Sequence, residues 1–224
     1  MKNSQKKKII IFASGTKNGG GSGFENLVKT SRKGILSGEI STVISNHENG
    51  GVRQRANQLG IKFIYFPARK ITNNEISGSD SNTAENYKKL TKKANLICLS
   101  GWLKLVSGLD PKKTINIHPG PLPRFGGPEM YGHHVHEAVI NAYRAGEIKN
   151  SAISMHFVTD EYDRGPLFFS QTVKILPNDT AKTLAIRINE AEHKWQPLIT
   201  EKVLCGEISW DGKNPKTLIG AILN

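Results

Sequence analysis

Apolar residues recur along the chain in two alternating rhythms. Residues 8–13, 41–45, 62–66 and 95–100 are short apolar runs and read as strands. Between them, residues 24–31, 52–59 and 83–93 carry apolar side chains three and four apart and read as helices, with a polar stretch, 72–82, as a surface loop. Residues 114–117 form a fifth strand. Strands that alternate with helices predict a Rossmann-like α/β fold: a mostly parallel twisted sheet with helices on both faces.

The rhythm then changes. A Pro/Gly-rich loop is followed by a helix over 132–145 and two extended runs, 151–159 and 167–175. Residues 160–166 separate those runs, which predicts an antiparallel excursion in the second half. The last helix starts near Asp179, read as its N-cap. Leu184, Ile188, Ala191, Trp195 and Leu198 mark its core-facing stripe, and Pro197 is expected to kink or interrupt it. There is no internal repeat and no linker. The chain, 1–224, therefore reads as one domain, with a nucleotide-fold half (about 8–118), a mixed half (about 119–208) and a short tail (209–224).

Composition narrows the class. With 37% hydrophobic and 22% charged residues the chain is neither disordered nor a membrane protein. The apolar run 9–13 behind a basic start is shorter than the ~7–15 residues of a signal-peptide core. Two cysteines, Cys98 in an apolar run and Cys205, favour a reducing cytoplasm over a disulfide. The net charge of +12 is spread along the chain. Its basic runs, 6–8 and 112–113, are short and lack interleaved aromatics, so an anionic small substrate is preferred to a nucleic acid.

The loop from Ser14 to Gly23 holds the first candidate chemistry. Glycines and a helix N-terminus suit a phosphate. A dinucleotide is disfavoured, because the G-x-G-x-x-G pattern meets Phe24 or Asn26 where its last glycine belongs. A P-loop fails as well, since Gly21-Ser22 stands where Lys-Ser or Lys-Thr is needed. A second candidate is Asn116-Ile117-His118-Pro119, at the end of the fifth strand. Alternation places Asn116 and His118 on one face. An amide suits a developing oxyanion, and an imidazole suits proton transfer near neutral pH. A third is the acidic loop Asp160-Glu161-Tyr162-Asp163 before Gly165-Pro166. His133, His134 and His136 invite a metal, but no HExxH spacing, cysteine or second acid cluster accompanies them, so no metal is expected.

Taken together, these segments resemble the folate-dependent formyltransferases. Asn116-Ile117-His118-Pro119 with Leu122-Pro123 is similar to the family's catalytic loop, and the segment from His156 to Pro166 is similar to its acid-bearing loop. Leu99 to Val106 resembles the turn that holds the pterin, and Glu192-His193 the pair whose acid binds ribose hydroxyls. The resemblance implies Asn116, His118 and Asp163 as catalytic residues. It further implies Gly21, Ser22, Gly23, Asn26 and Glu192 at the substrate phosphate and ribose, and Leu103, Lys104, Leu105, Val106, Asn116, Asp160 and Tyr162 at the folate. The formyl donor would be 10-formyltetrahydrofolate, and the acceptor the amine of glycinamide ribonucleotide, as in the purine-synthesis branch. The enzyme would be a monomer or homodimer, with no membrane partner. The sequence departs from the family at the apparent insertion 17–21, at Gly120-Pro121 and at 126–131. Methionyl-tRNA or sugar-nucleotide acceptors, hydrolysis of the formyl folate, and a basic RNA-binding protein with a degenerate site stay open as alternatives.

Overall fold

The chain is described by a computed structural model over residues 6–17, 19–67 and 81–224. One eight-stranded sheet has the order β3-β2-β1-β4-β5-β6-β7-β8. Its strands are β1 (Lys8–Phe12), β2 (Glu39–Ser45), β3 (Lys62–Tyr65), β4 (Leu96–Leu99), β5 (Thr114–His118), β6 (Asn150–Phe157), β7 (Leu167–Lys174) and β8 (Ile222–Leu223). The first five pair in parallel, β5–β6 and β6–β7 are antiparallel, and β7–β8 is parallel again. The helices are α1 (Ser22–Arg32), α2 (Gly51–Leu59), α3 (Ser81–Thr91), α4 (His133–Arg144) and α5 (Ala181–Cys205).

The continuous apolar run of β1 is explained by burial on both faces. Ile9 and Ile11 belong to one apolar cluster with α1, α2, α4 and α5, and Ile10 and Phe12 belong to another with Tyr87 of α3. Each such fully buried side chain stabilises the fold by roughly 1.5–3 kcal/mol. The chain runs outward from β1 through β2 to β3, then crosses back to β4 and β5 on the other side. That reversal opens a crevice at the carboxyl ends of β1 and β4, where ligands bind in open α/β sheets.

Several elements depart from the expectations. α1 begins two residues early, at Ser22, because Gly21 takes a left-handed conformation (φ 79°) and turns the chain directly into the helix. The polar stretch 72–82 lies outside the described residues except for its last two, which open α3. The tail contributes an unexpected edge strand, β8. The N-cap of α5 is Thr180, not Asp179: its hydroxyl accepts from Thr183 N, and Thr183 Oγ1 accepts from Thr180 N. Asp179 instead accepts two hydrogen bonds from the Arg187 guanidinium. Leu198 is 42% exposed and Ile199 is buried in its place. A single stripe does not serve α5, because it meets α4, β6 and β7 as well as α1.

Pro197 does not interrupt α5. Lacking an N–H, it leaves the carbonyl of His193, four residues earlier, without its helical donor. The Asn26 side chain supplies one: its Nδ2 donates to His193 O at 2.7 Å. This bond ties α1 to α5. Asn26→Ala is expected to lower stability by about 1–2 kcal/mol in urea unfolding. In a Pro197→Ala background, where a backbone N–H can return, that loss should shrink by more than half. An equal loss in both backgrounds would rule out the compensation.

Candidate active site

Register builds the site. Asn116 of β5 lies directly opposite His156 of β6, and His118 opposite Ser154. Ile115 and Ile117 belong to the first apolar cluster, so Asn116 and His118 take the other face of the strand. The pairing of β6 with β7 shifts between Met155 and His156, beside the site, where such irregularities re-aim side chains. The loop after β6 then folds back over this face and delivers Asp163. Gly165 permits the fold-back, since a Cβ there would lie 1.7 Å from Phe157 O. Asp163 itself is at φ 52°, a conformation that is uncommon for non-glycine residues and enriched in functional sites.

The Asp163 carboxylate is the hub. Its Oδ1 accepts from Asn116 Nδ2 at 3.3 Å and lies 3.3 Å from His156 Nε2. Its Oδ2 accepts from the Gly127 backbone N–H at 3.0 Å and lies 3.7 Å from His118 Nδ1. Burial works to raise the Asp163 pKa, but the His156 hydrogen bond, the His118 charge and the Gly127 N–H together hold it below the usual carboxylate range. His118 Nε2 lies 2.6 Å from Phe125 O, an atom that only accepts, so Nε2 carries a proton and Nδ1 faces the carboxylate. Burial lowers the His118 pKa, against the opposing pull of Asp163. By the same reasoning His156 Nδ1 donates to Phe157 O (2.8 Å), and Asn116 Nδ2 lies 3.1 Å from His156 Nε2.

Asn116, His118, Gly127 and Asp163 line a cavity of about 1390 Å³. Single small-molecule sites occupy ~300–1,000 Å³, so two substrates can be held together. One end is the first turn of α1, with Gly21, Ser22 and Gly23, facing Asn189, Glu192 and Gln196 of α5. Asn189 Nδ2 is 3.5 Å from both Ser22 Oγ and Glu192 Oε2. Burial in the cavity wall pushes the Glu192 carboxyl up to about 7, against the Asn189 hydrogen bond. The other end is Leu103, Lys104 and Leu105 after β4, with Tyr162.

Three expected ligand residues lie elsewhere. Asn26 is absent from the cavity wall because its amide is spent on His193. Val106 is 4% exposed and packs in the second apolar cluster. Asp160 is exposed on the outside of the loop that turns Asp163 inward. His136 is not a surface residue of α4 but a buried wall of the cavity, pushed down to about 4 by burial and by neighbouring His133 and His118. His133 and His134 pair with Glu137 on the surface, at 3.0 and 3.8 Å. Among the described residues no group of three or more His, Cys, Asp or Glu side chains comes together to hold a metal ion. The reading of the sequence assigned no role to His156. It heads the segment similar to the acid-bearing loop, and its partner Asn116 follows only from the β5–β6 register.

An α/β sheet that sets an amide, two imidazoles and a carboxylate beside a two-substrate cavity defines a group-transfer site. Among the described residues no serine or cysteine hydrogen-bonds to either histidine, so direct attack by a bound nucleophile suits it better than a covalent intermediate. The chain belongs to the Formyl transferase family, whose model matches residues 7–200. It is 33% identical over 210 residues to the chloroplastic phosphoribosylglycinamide formyltransferase of Vigna unguiculata, covering 92% of this chain and 64% of that one. It is 28% identical to the Bacillus subtilis phosphoribosylglycinamide formyltransferase over 88% of this chain and 95% of that one. The solved structure of the Coxiella burnetii phosphoribosylglycinamide formyltransferase superposes with a TM-score of 0.76 at 27% identity, covering 96% of this chain and 94% of that one.

The Glu192 environment predicts a pH effect. Its folded pKa, about 7, lies above the unfolded value of roughly 4.3. Between those values the native state keeps a proton that the unfolded chain has released, so stability falls as pH rises through that window. Glu192→Gln removes this slope. Urea unfolding at pH 5 and pH 7.5 should show the variant gaining on wild type at the higher pH. A difference independent of pH would refute the assignment.

Proposed function

We propose that this chain transfers a formyl group from 10-formyltetrahydrofolate to the amine of glycinamide ribonucleotide in purine synthesis, as a phosphoribosylglycinamide formyltransferase. The observation that carries this reading is the position of Asn116, His118 and Asp163. They line the same cavity as a helix N-terminus suited to a phosphate and an apolar turn suited to a pterin. The folate's ring would rest on Leu103, Lys104 and Leu105 beside Tyr162, and the ribonucleotide on Gly21, Ser22, Gly23 and Glu192.

The chemistry follows from the contacts. The acceptor amine attacks the formyl carbon, a C–N bond forms, and the carbonyl becomes an oxyanion. Asn116 and His118 supply hydrogen bonds to it. In the resting site both N–H groups of Asn116 are turned to His156 and Asp163. One of them turns to the oxyanion as its charge develops. His118 Nε2 keeps its proton on Phe125 O, so the group that faces the reaction is the Nδ1–H of the imidazolium form, held beside the Asp163 carboxylate. Asp163 takes up the proton lost by the amine, and His118 gives one to the departing N10 as its bond to the formyl carbon breaks. The two free cysteines suit a reducing compartment such as the cytoplasm.

The test is absorbance-monitored consumption of 10-formyltetrahydrofolate with glycinamide ribonucleotide, methionyl-tRNA or water as acceptor. Only the ribonucleotide should support turnover. His118→Ala and Asp163→Ala should each lose about 10²–10³-fold or more in kcat with unchanged circular dichroism. Turnover with tRNA or water alone would reassign the acceptor, and wild-type rates in either variant would remove these residues from the chemistry.

A further inference from the structure

Gly23 marks the tightest point at the α1 end of the cavity. A Cβ there would lie 2.4 Å from Ser100 Oγ and 3.3 Å from Gln196 Oε1. Glycine within a helix costs roughly 0.5–1 kcal/mol relative to alanine, so this space is kept at a cost. Two polar side chains fill it. Ser100 Oγ donates to Gln196 Oε1 at 3.3 Å, and both residues line the cavity. Ser100 is 6% exposed and Gln196 only 2%. With its oxygen held by Ser100, the Gln196 amide still has two N–H donors. They make no hydrogen bond among the described residues. The amide nitrogen is not sealed in the core, so a ligand in the cavity can take its N–H groups in place of water.

The neighbours indicate the kind of ligand. Asn189, Glu192 and Gln196 are spaced three and four apart and share one face of α5 opposite Ser22 and Gly23. The cationic side chains of the cavity, Lys104 and Lys182, stand on the turn after β4 and the first turn of α5. Lys182 is about 10 Å along the helix from Asn189. An anion at this end would be met by the first-turn backbone of α1, the Ser22 hydroxyl and two side-chain amides, with Arg55 behind Gly21 already paired to Glu25.

We propose that the Gln196 amide donates to a phosphate oxygen of the acceptor substrate, making Gln196 a determinant of phosphorylated over unphosphorylated acceptors. Ser100 is a positioning residue that turns the amide nitrogen toward the ligand. This inference rests on the ribonucleotide acceptor proposed above.

Calorimetry with glycinamide ribonucleotide and with the corresponding riboside, which lacks the phosphate, tests it. Gln196→Glu keeps the shape and the acceptor for Ser100 but replaces the donor with a negative charge. Gln196→Met removes the donor without charge. The ratio of riboside Kd to ribonucleotide Kd should fall about tenfold in Gln196→Met and further in Gln196→Glu, with Ser100→Ala showing a smaller fall of about threefold. Thermal melts identify any variant that fails to fold, and the methionine variant alone suffices to decide. A purely structural role would weaken both ligands equally and leave the ratio unchanged. If wild type prefers the ribonucleotide and that preference survives in the folded variants, the role of Gln196 is overturned. If wild type binds neither ligand, the acceptor reading falls first and takes this inference with it.

Discussion

A single buried carboxylate organises the chemical half of this molecule. Asp163 is only 12% exposed at its side chain and sits on a backbone conformation that costs of order 1–3 kcal/mol. That arrangement persists because four groups from three separate elements converge on its two oxygens: Asn116 and His118 of β5, His156 of β6, and Gly127 N of the loop before α4. Those partners set its charge state as well as its position. A buried charge with one partner removed is far more costly than a missing surface pair. The strand register, the loop after β5 and the fold-back after β6 are thus mutually dependent.

The opposite end of the cavity works differently. There the cavity presents backbone N–H donors, a hydroxyl and amides, and the Glu192 carboxyl is shifted toward its neutral form. The chain's net charge of +12 acts at longer range, where it favours the approach of anions. The two ends are joined mechanically through α1 and α5. Asn26 closes the gap that Pro197 leaves in α5, and so ties α1 to α5 beside Glu192.

Much of this was legible in the sequence, for identifiable reasons. Parallel strands buried on both faces are continuous apolar runs, so β1, β2, β4 and β5 announced themselves, and the change of rhythm after His118 marked the antiparallel excursion. Asn116 and His118 stood out because two polar residues at alternate positions break an apolar strand. What stayed hidden depends on three-dimensional partnership. His156 acquires meaning only from its cross-strand neighbour. Asn26 looks like a ligand residue until the proline four positions after His193 is seen to need a donor. Asp179 has the side chain of an N-cap, but Arg187, two turns on, claims it and leaves the cap to Thr180. The buried face of α5 could not be read as one stripe because that helix meets different neighbours along its length. β8 has only two residues, too few to carry a period.

The unbroken run of α5 has a consequence for how the sequence can diverge. From Lys182 to Gln196 the helix lines the cavity over roughly 21 Å at 1.5 Å per residue. Each residue added to or lost from that stretch rotates everything beyond it by about 100°, given 3.6 residues per turn. One inserted residue would swing Glu192 and Gln196 out of the cavity while leaving a helix of much the same length. Surface loops elsewhere can lengthen or shorten freely, but this segment tolerates substitution and not a change in length. Among natural variants of the chain, a gap falling between 182 and 196 would therefore mark loss of the substrate site even where the fold survives.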